Sequence, residues 1–127
     1  MEKYLGVDWG EKRIGLALAE EETKIATPFK TVTKMAEVLT VIKEEEINTI
    51  IIGSPKKMSG EEANSPKWLD FVARLEKQTD CRIVFLDERL SSLAADALIG
   101  SKKTKASRDE IAATIILQSY LDEKFRG

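Results

Sequence analysis

Four carboxylates occupy positions where chemistry could be done. Asp8 lies in "YLGVDWGEKR", Asp87 and Glu88 in "FLDERL", and Asp109 in "SRDEIAA". The chain has no histidine, so a His general base, a Ser–His or Cys–His nucleophile and a His-containing zinc site are all ruled out. Catalysis must run on carboxylates, lysines, hydroxyls or bound metal. Clustered carboxylates without histidine have one leading use: they hold hard divalent cations, Mg2+ or Mn2+, through oxygen. Two such ions activate a water and stabilise the leaving oxygen of a phosphodiester. The ions also offset the mutual repulsion of crowded acids. Each acid has a plainer reading as well. Asp8 could open a turn by bonding its own backbone, and Asp87 and Glu88 could be strand-end acids partnered by Arg89. Asp109 could simply complement a helix dipole.

Whether the acids meet depends on the elements that carry them. "KYLGVDW" and "RIGLALA" are apolar runs joined by "GEKR", a hairpin with Gly10 at the turn, where it also keeps space open beside Asp8. "IATPFKTV" reads as a third strand, with Pro28 suited to a sheet edge because it has no N–H to donate. Met35, Val38, Leu39 and Ile42 recur at helical spacing. "NTIIIGSP" is apolar throughout, as in a parallel strand covered on both faces. Ser65 and Pro66 start a helix that lines up Trp68, Phe71, Val72 and Leu75, and "RIVFLDE" is another buried strand. "SSLAADALIG" reads as a short helix closed by Gly100. Ser107 and Glu110 form a capping box before "IAATIILQSYL". The order β β β α β α β α α predicts a mixed sheet with helices on both faces. Ligands collect outside the carboxyl ends of parallel strands in such sheets. With the first and fourth strands as neighbours, Asp8 and the Asp87/Glu88 pair emerge on one edge.

Composition narrows the class. A chain of 127 residues, 43% hydrophobic and 33% charged, fits one globular domain over residues 1–127. No apolar run approaches the ~20 residues of a membrane helix, and the N-terminus lacks a signal-peptide pattern. These features, with a single cysteine at the edge of an apolar run (Cys81), predict a cytoplasmic protein without a membrane partner. The net charge of −2 conceals a local basic stretch, "GSKKTKASR", with Lys102, Lys103, Lys105 and Arg108. Lys56 and Lys57 follow the fourth strand on the same expected edge. Lys12, Arg13 and Arg89 flank the acids. These cations are candidates for gripping a nucleic-acid backbone through its phosphates. Neither Lys-rich loop interleaves aromatics of the kind that stack single-stranded bases.

"LGVDWGEKRIGLALAE", "IIIGSPKKMSGEE", "DERLSS" and "RDEIAATIILQSYLD" follow one another as they do in the YqgF (RuvX-like) family, which the chain resembles over nearly its whole length. The resemblance implies an RNase H-like fold: a five-stranded mixed sheet whose first three strands are antiparallel and whose fourth and fifth run parallel to the first. Members of that family carry the names Holliday junction resolvase and pre-16S rRNA nuclease. Its acidic positions fall on Asp8, on Asp87 to Arg89, and on Asp109. Strand alternation favours Glu88 over Asp87 as the ligand if Phe85 points into the core. Trp9 stands where the family usually has a small or aliphatic residue, and Lys57 where it usually has asparagine.

The expected activity is therefore metal-dependent endonucleolytic cleavage, with about two ions of Mg2+ or Mn2+ held by Asp8, Glu88 (or Asp87) and Asp109. Structured RNA is the leading substrate, in maturation of the small-subunit ribosomal RNA, with a ribosomal precursor particle as partner. Branched DNA at a Holliday junction is the alternative. The chain is expected to act as a monomer or a dimer, and a two-fold junction calls for the dimer. A non-catalytic nucleic-acid-binding module is the reading from another class, and retained acids at a phosphate-binding surface argue against it. An actin-like ATPase would need two such domains.

Overall fold

A computed structural model describes residues 1–54, 66–87 and 108–125. Its elements are β1 (Lys3–Trp9), β2 (Ile14–Glu20), β3 (Thr27–Val32), α1 (Met35–Glu44), β4 (Thr49–Ser54), α2 (Pro66–Gln78), β5 (Arg82–Asp87) and α3 (Arg108–Lys124). The helix expected in "SSLAADALIG" lies outside the described residues. The five strands form one sheet in the order β3-β2-β1-β4-β5. β1 pairs antiparallel with β2, and β2 with β3, while β4 runs parallel to both β1 and β5. The expected strand directions and the β1–β4 neighbourhood are both present. Pro28 sits on β3, the edge strand, opposite Ala17. The ladder slips beside it, so Phe29 is passed over between Lys30 and Pro28. An edge carrying a proline and a bulge is a poor template for further strands.

Alternation along each strand divides the core in two. Leu5, Val7, Ile14, Leu16, Ile50 and Ile52 face α1 and α2, where they meet Val38, Val41, Ile42, Trp68, Phe71, Val72 and Leu75. Tyr4, Ala17, Ala19 and Ile51 face α3 and pack on Ala113, Ile116, Leu117 and Leu121. Full burial of each large aliphatic side chain favours folding by roughly 1.5–3 kcal/mol, so the first cluster carries most of the apolar stabilisation. The two faces of β2 differ sharply. Ile14, Leu16 and Leu18 point to the two-helix side; Gly15, Ala17 and Ala19 point to α3. Small residues allow α3 to lie close against the sheet. Gly6 shows how close, because a Cβ there would stand 2.7 Å from the Ala113 carbonyl oxygen and 2.8 Å from Leu117 Cβ.

Local polar contacts fix the ends of the elements. Cys81 is half-buried against the larger cluster, and its Sγ donates to the Ile47 carbonyl at 3.0 Å. Gln118 on α3 accepts from the Ala26 N–H at 2.8 Å and donates to the Lys24 carbonyl at 3.1 Å, which ties the helix to the β2–β3 connection. No helix among the described residues is long and apolar enough to cross a membrane.

The start of α1 is held by Glu37, whose Oε1 accepts from the Thr33 hydroxyl and from the Thr33 and Lys34 N–H groups at 3.1–3.2 Å. The Thr33 N–H and hydroxyl bonds, opposed by some desolvation, hold its carboxyl below the ordinary 4.5. A lowered native pKa stabilises the fold above the unfolded value, and that contribution is lost as the pH falls through the native one. Urea unfolding of Glu37→Ala should therefore show a deficit against wild type at pH 7 that shrinks as both proteins are taken below about pH 4.

Candidate active site

The carboxyl ends of β1, β4 and β5 share one edge of the sheet: Asp8 is the last residue but one of β1, and Ser54 and Asp87, paired with each other, end β4 and β5. Val7 is level with Ile52, and Ile52 with Phe85. With adjacent strands about 4.8 Å apart, the ends of β1 and β5 are separated by about 10 Å. That distance is within reach of two side chains leaning toward a shared ligand.

Asp8 points to the α3 side. It is directly opposite Gly15 on β2, and it is the only buried carboxylate among the described residues, 9% exposed. Its neighbour Trp9 turns the other way and sets its ring 6.3 Å from that of Phe71. The tryptophan therefore adds bulk on the face away from the acid. Trp68 and Phe85 stack similarly at 5.8 Å on that far side. Phe85 faces α2, although 46% of it is exposed, while Val84 and Leu86 belong to the α3 side.

Asp109 arrives at the same place from the far end of the chain. It lies in the first turn of α3, directly on top of Gly15. A Cβ built on Gly15 would fall onto the Asp109 carbonyl and stand 2.8 Å from Asp109 Cβ. Opposed Cβ positions on antiparallel strands are about 5 Å apart, so the Cβ atoms of Asp8 and Asp109 are no more than about 8 Å from each other. Two carboxylates separated by 100 residues of chain thus stand over one spot on the sheet edge. Arg13, at the end of the β1–β2 turn, places Nε 3.4 Å from Asp109 Oδ2; the side chains are 70% and 26% exposed. A pair so open to water is worth less than about 1 kcal/mol, and the guanidinium is free to leave for another anion.

The other expected residues divide into two groups. Lys12 is exposed in the same turn as Arg13, and Lys67 at the start of α2 reaches Glu11 beside them at 3.9 Å. Arg108 opens α3. Glu88, Arg89, Lys56, Lys57, Lys102, Lys103 and Lys105 lie outside the described residues. Among the described residues no three acids or other ligating side chains form a metal-sized group. The two acids whose side chains are described, Asp8 and Asp109, offer oxygen only, which is the donor chemistry of Mg2+ and Mn2+.

Three residues that position this site escaped the sequence reading. Gly15 keeps space open for the first turn of α3, directly opposite Asp8. Gly10 serves the turn, as expected, since a Cβ there would lie 2.8 Å from the Arg13 carbonyl oxygen. Glu110, expected in a capping box with Ser107, accepts a 2.8 Å bond from the Thr31 hydroxyl on β3; Ser107 is outside the described residues. The only available signal for Gly15 was its place in "RIGLALA", where small and large residues alternate.

A model of the RuvX family, described as Holliday junction resolvase, matches residues 2–123. The chain belongs to that family. The match bears out the likeness carried by the four sequence motifs. A relative from Maridesulfovibrio salexigens, named as a candidate pre-16S rRNA nuclease, is 35% identical, with 94% of this chain and 97% of that one covered. Another with the same name, from Chlamydia muridarum, is 33% identical over 97% and 93% of the two chains. Among solved structures, Thermus thermophilus RuvC in complex with a Holliday junction substrate superposes with a TM-score of 0.62 at 13% identity, covering 98% and 96% of the chains. The Fowlpox virus resolvase in complex with Holliday junction DNA gives 0.60 at 11%, covering 97% and 99%. At these identities the likeness concerns the fold, which is RNase H-like, with the strand order and directions described above.

Gly15→Ala should force the first turn of α3 off the sheet. Overpacking of this kind costs about 1–3 kcal/mol, and moving Asp109 by about 1 Å should lower cleavage by on the order of a hundredfold. Urea unfolding and turnover assayed under conditions where the variant remains folded separate the two effects.

Proposed function

We propose that residues 1–127 form one nuclease domain, a metal-dependent endonuclease of the cytoplasm. It cleaves phosphodiesters in structured RNA, most directly the precursor of the small-subunit ribosomal RNA. The seating of Asp109 on Gly15, across the ladder from Asp8, is the observation that carries this reading. It brings a buried acid and a half-buried acid to the edge of the sheet with no histidine in the chain. The names of the family and of the relatives support the same chemistry.

Asp8 and Asp109 would hold divalent metal, together with an acid from the end of β5. Val84 and Leu86 lie on the α3 side, and alternation continued from them favours Glu88 over Asp87. Bound metal supplies an activated water and neutralises charge on the leaving oxygen. The chain's own residues do the rest. Asp8, held in a strand at the centre of the sheet, provides a fixed oxygen ligand. Asp109 provides a second from a helix that the sheet positions. Arg13 exchanges the Asp109 carboxylate for a backbone phosphate of the substrate, and Lys12, Arg108 and Arg89 extend the cationic rim. Lys56, Lys57, Lys102, Lys103 and Lys105 add non-specific grip on the backbone. A ribosomal precursor particle is the natural source of such a substrate. The family name favours a four-way DNA junction as a second substrate, and cutting its two strands symmetrically would require two copies of the chain.

The decisive assay incubates labelled precursor ribosomal RNA and a four-way DNA junction with the protein in Mg2+, Mn2+ or chelator. Wild type should cleave in either metal and not in chelator. Asp8→Asn should stay folded and lose at least about a hundredfold in rate, because several kcal/mol of charge stabilisation are at stake. Equal cleavage by the folded variant would refute the assignment. Cleavage of the junction alone would move the substrate to DNA. In binding titrations, Arg13→Met should weaken nucleic-acid affinity and reduce the salt-dependence slope by about 1.

A further inference from the structure

We propose that Thr31 and Glu110 are positioning residues for Asp109, an inference that rests on the nuclease reading above. The geometry is a single row across the sheet. Asp8 on β1 is opposite Gly15 on β2, and Gly15 is opposite Thr31 on β3. The first turn of α3 crosses above that row. Asp109 lies on Gly15, and the next residue, Glu110, takes the Thr31 hydroxyl at 2.8 Å. Consecutive helix residues are thus registered on consecutive strands: one by a contact that only glycine permits, the other by a hydrogen bond to a carboxylate.

The two contacts restrain different motions. The Gly15 contact sets how deeply the first turn sits, since the Asp109 backbone rests on the strand. It leaves the helix free to rotate about its axis or to slide along β2. The Thr31–Glu110 bond, displaced by one strand, blocks both movements. A charged acceptor makes it stronger than a neutral bond. Further along the helix, Gln118 holds the Lys24 and Ala26 backbone, so α3 is tied near its start and again more than two turns later. The bulge at Phe29 has a part as well. It restores register so that Thr31, rather than a neighbour, comes level with Gly15 on the α3 side.

Thr31 and Glu110 touch no reacting atoms in this scheme, and their loss should look like the loss of an outer-shell tie. Such ties typically change metal affinity or activity by about 10–100-fold. The test compares wild type, Thr31→Val, Thr31→Ser, Glu110→Ala, Glu110→Gln and Thr31→Val/Glu110→Ala. Mn2+ affinity is read by electron paramagnetic resonance of the free ion, kcat and KM on the cleaved substrate, and folding by urea unfolding.

Thr31→Val and Glu110→Ala should each weaken Mn2+ binding by about tenfold and lower kcat with KM nearly unchanged. Thr31→Ser keeps the hydroxyl and Glu110→Gln keeps an acceptor, so both should stay close to wild type. The double variant should lose less than the two single losses combined, as expected for residues coupled through one interaction. Folded Thr31→Val that binds Mn2+ and turns over like wild type would overturn the positioning role while leaving the nuclease reading intact. Additive losses in the double variant would overturn it too, because the residues would then act separately. Wild type that neither binds Mn2+ nor cleaves would overturn both readings together.

Discussion

The contact between the first turn of α3 and Gly15 is the constraint on which the rest of the molecule depends. A helix axis usually lies about 10 Å from the sheet it covers because side chains fill the gap, and small residues shorten that distance. Here the α3 side of β2 is Gly15, Ala17 and Ala19, and β1 contributes Gly6 beside them. The large aliphatic residues of β2 are thereby confined to the other side, where two helices rather than one cover the sheet. The asymmetry of the core, with a thick apolar layer on one face and a thin one on the other, follows from bringing one helix close.

Closeness has an electrostatic side. Asp8, 9% exposed, and Asp109 stand no more than about 8 Å apart, Cβ to Cβ. Each acid is on an element that cannot retreat. Asp8 is in β1, which has paired neighbours on both sides, and Asp109 is pressed onto β2. Arg13 brings a positive charge to Asp109 from the solvent side, in a pairing that is exposed and weak.

Much of this architecture is legible in the amino-acid order. Strands such as "TIIIGS" and "RIVFLD" are short, apolar and bounded, and the helix of Trp68, Phe71, Val72 and Leu75 repeats at the right spacing. Asp8 stood out as a carboxylate closing an apolar strand, and Asp109 because a basic stretch immediately precedes it. The row Asp8–Gly15–Thr31 was not legible. Its formation requires the β2–β3 register, which a bulge shifts by a residue, and nothing local in "TPFKTV" marks where that slip falls. The bond between Thr31 and Glu110 was hidden for a related reason. S-x-x-E is a local pattern, whereas the Thr31 hydroxyl that reaches Glu110 comes from 79 residues earlier. Long-range partners of a helix start are invisible until the helix is docked.

The missing side chain at Gly15 also limits how this protein can diverge. Any residue larger than glycine there must lift α3, and lifting α3 removes an acid from the sheet edge. Positions 15 and 109 are therefore sterically coupled, although they are far apart in the linear chain. A descendant that gave up cleavage and kept the fold would be released from both at once. Its β2 could then regain a full-sized side chain, its last helix could move outward, and the thin half of the core could thicken. The glycine marks, in the backbone itself, how near the last helix is held to the strand beneath it.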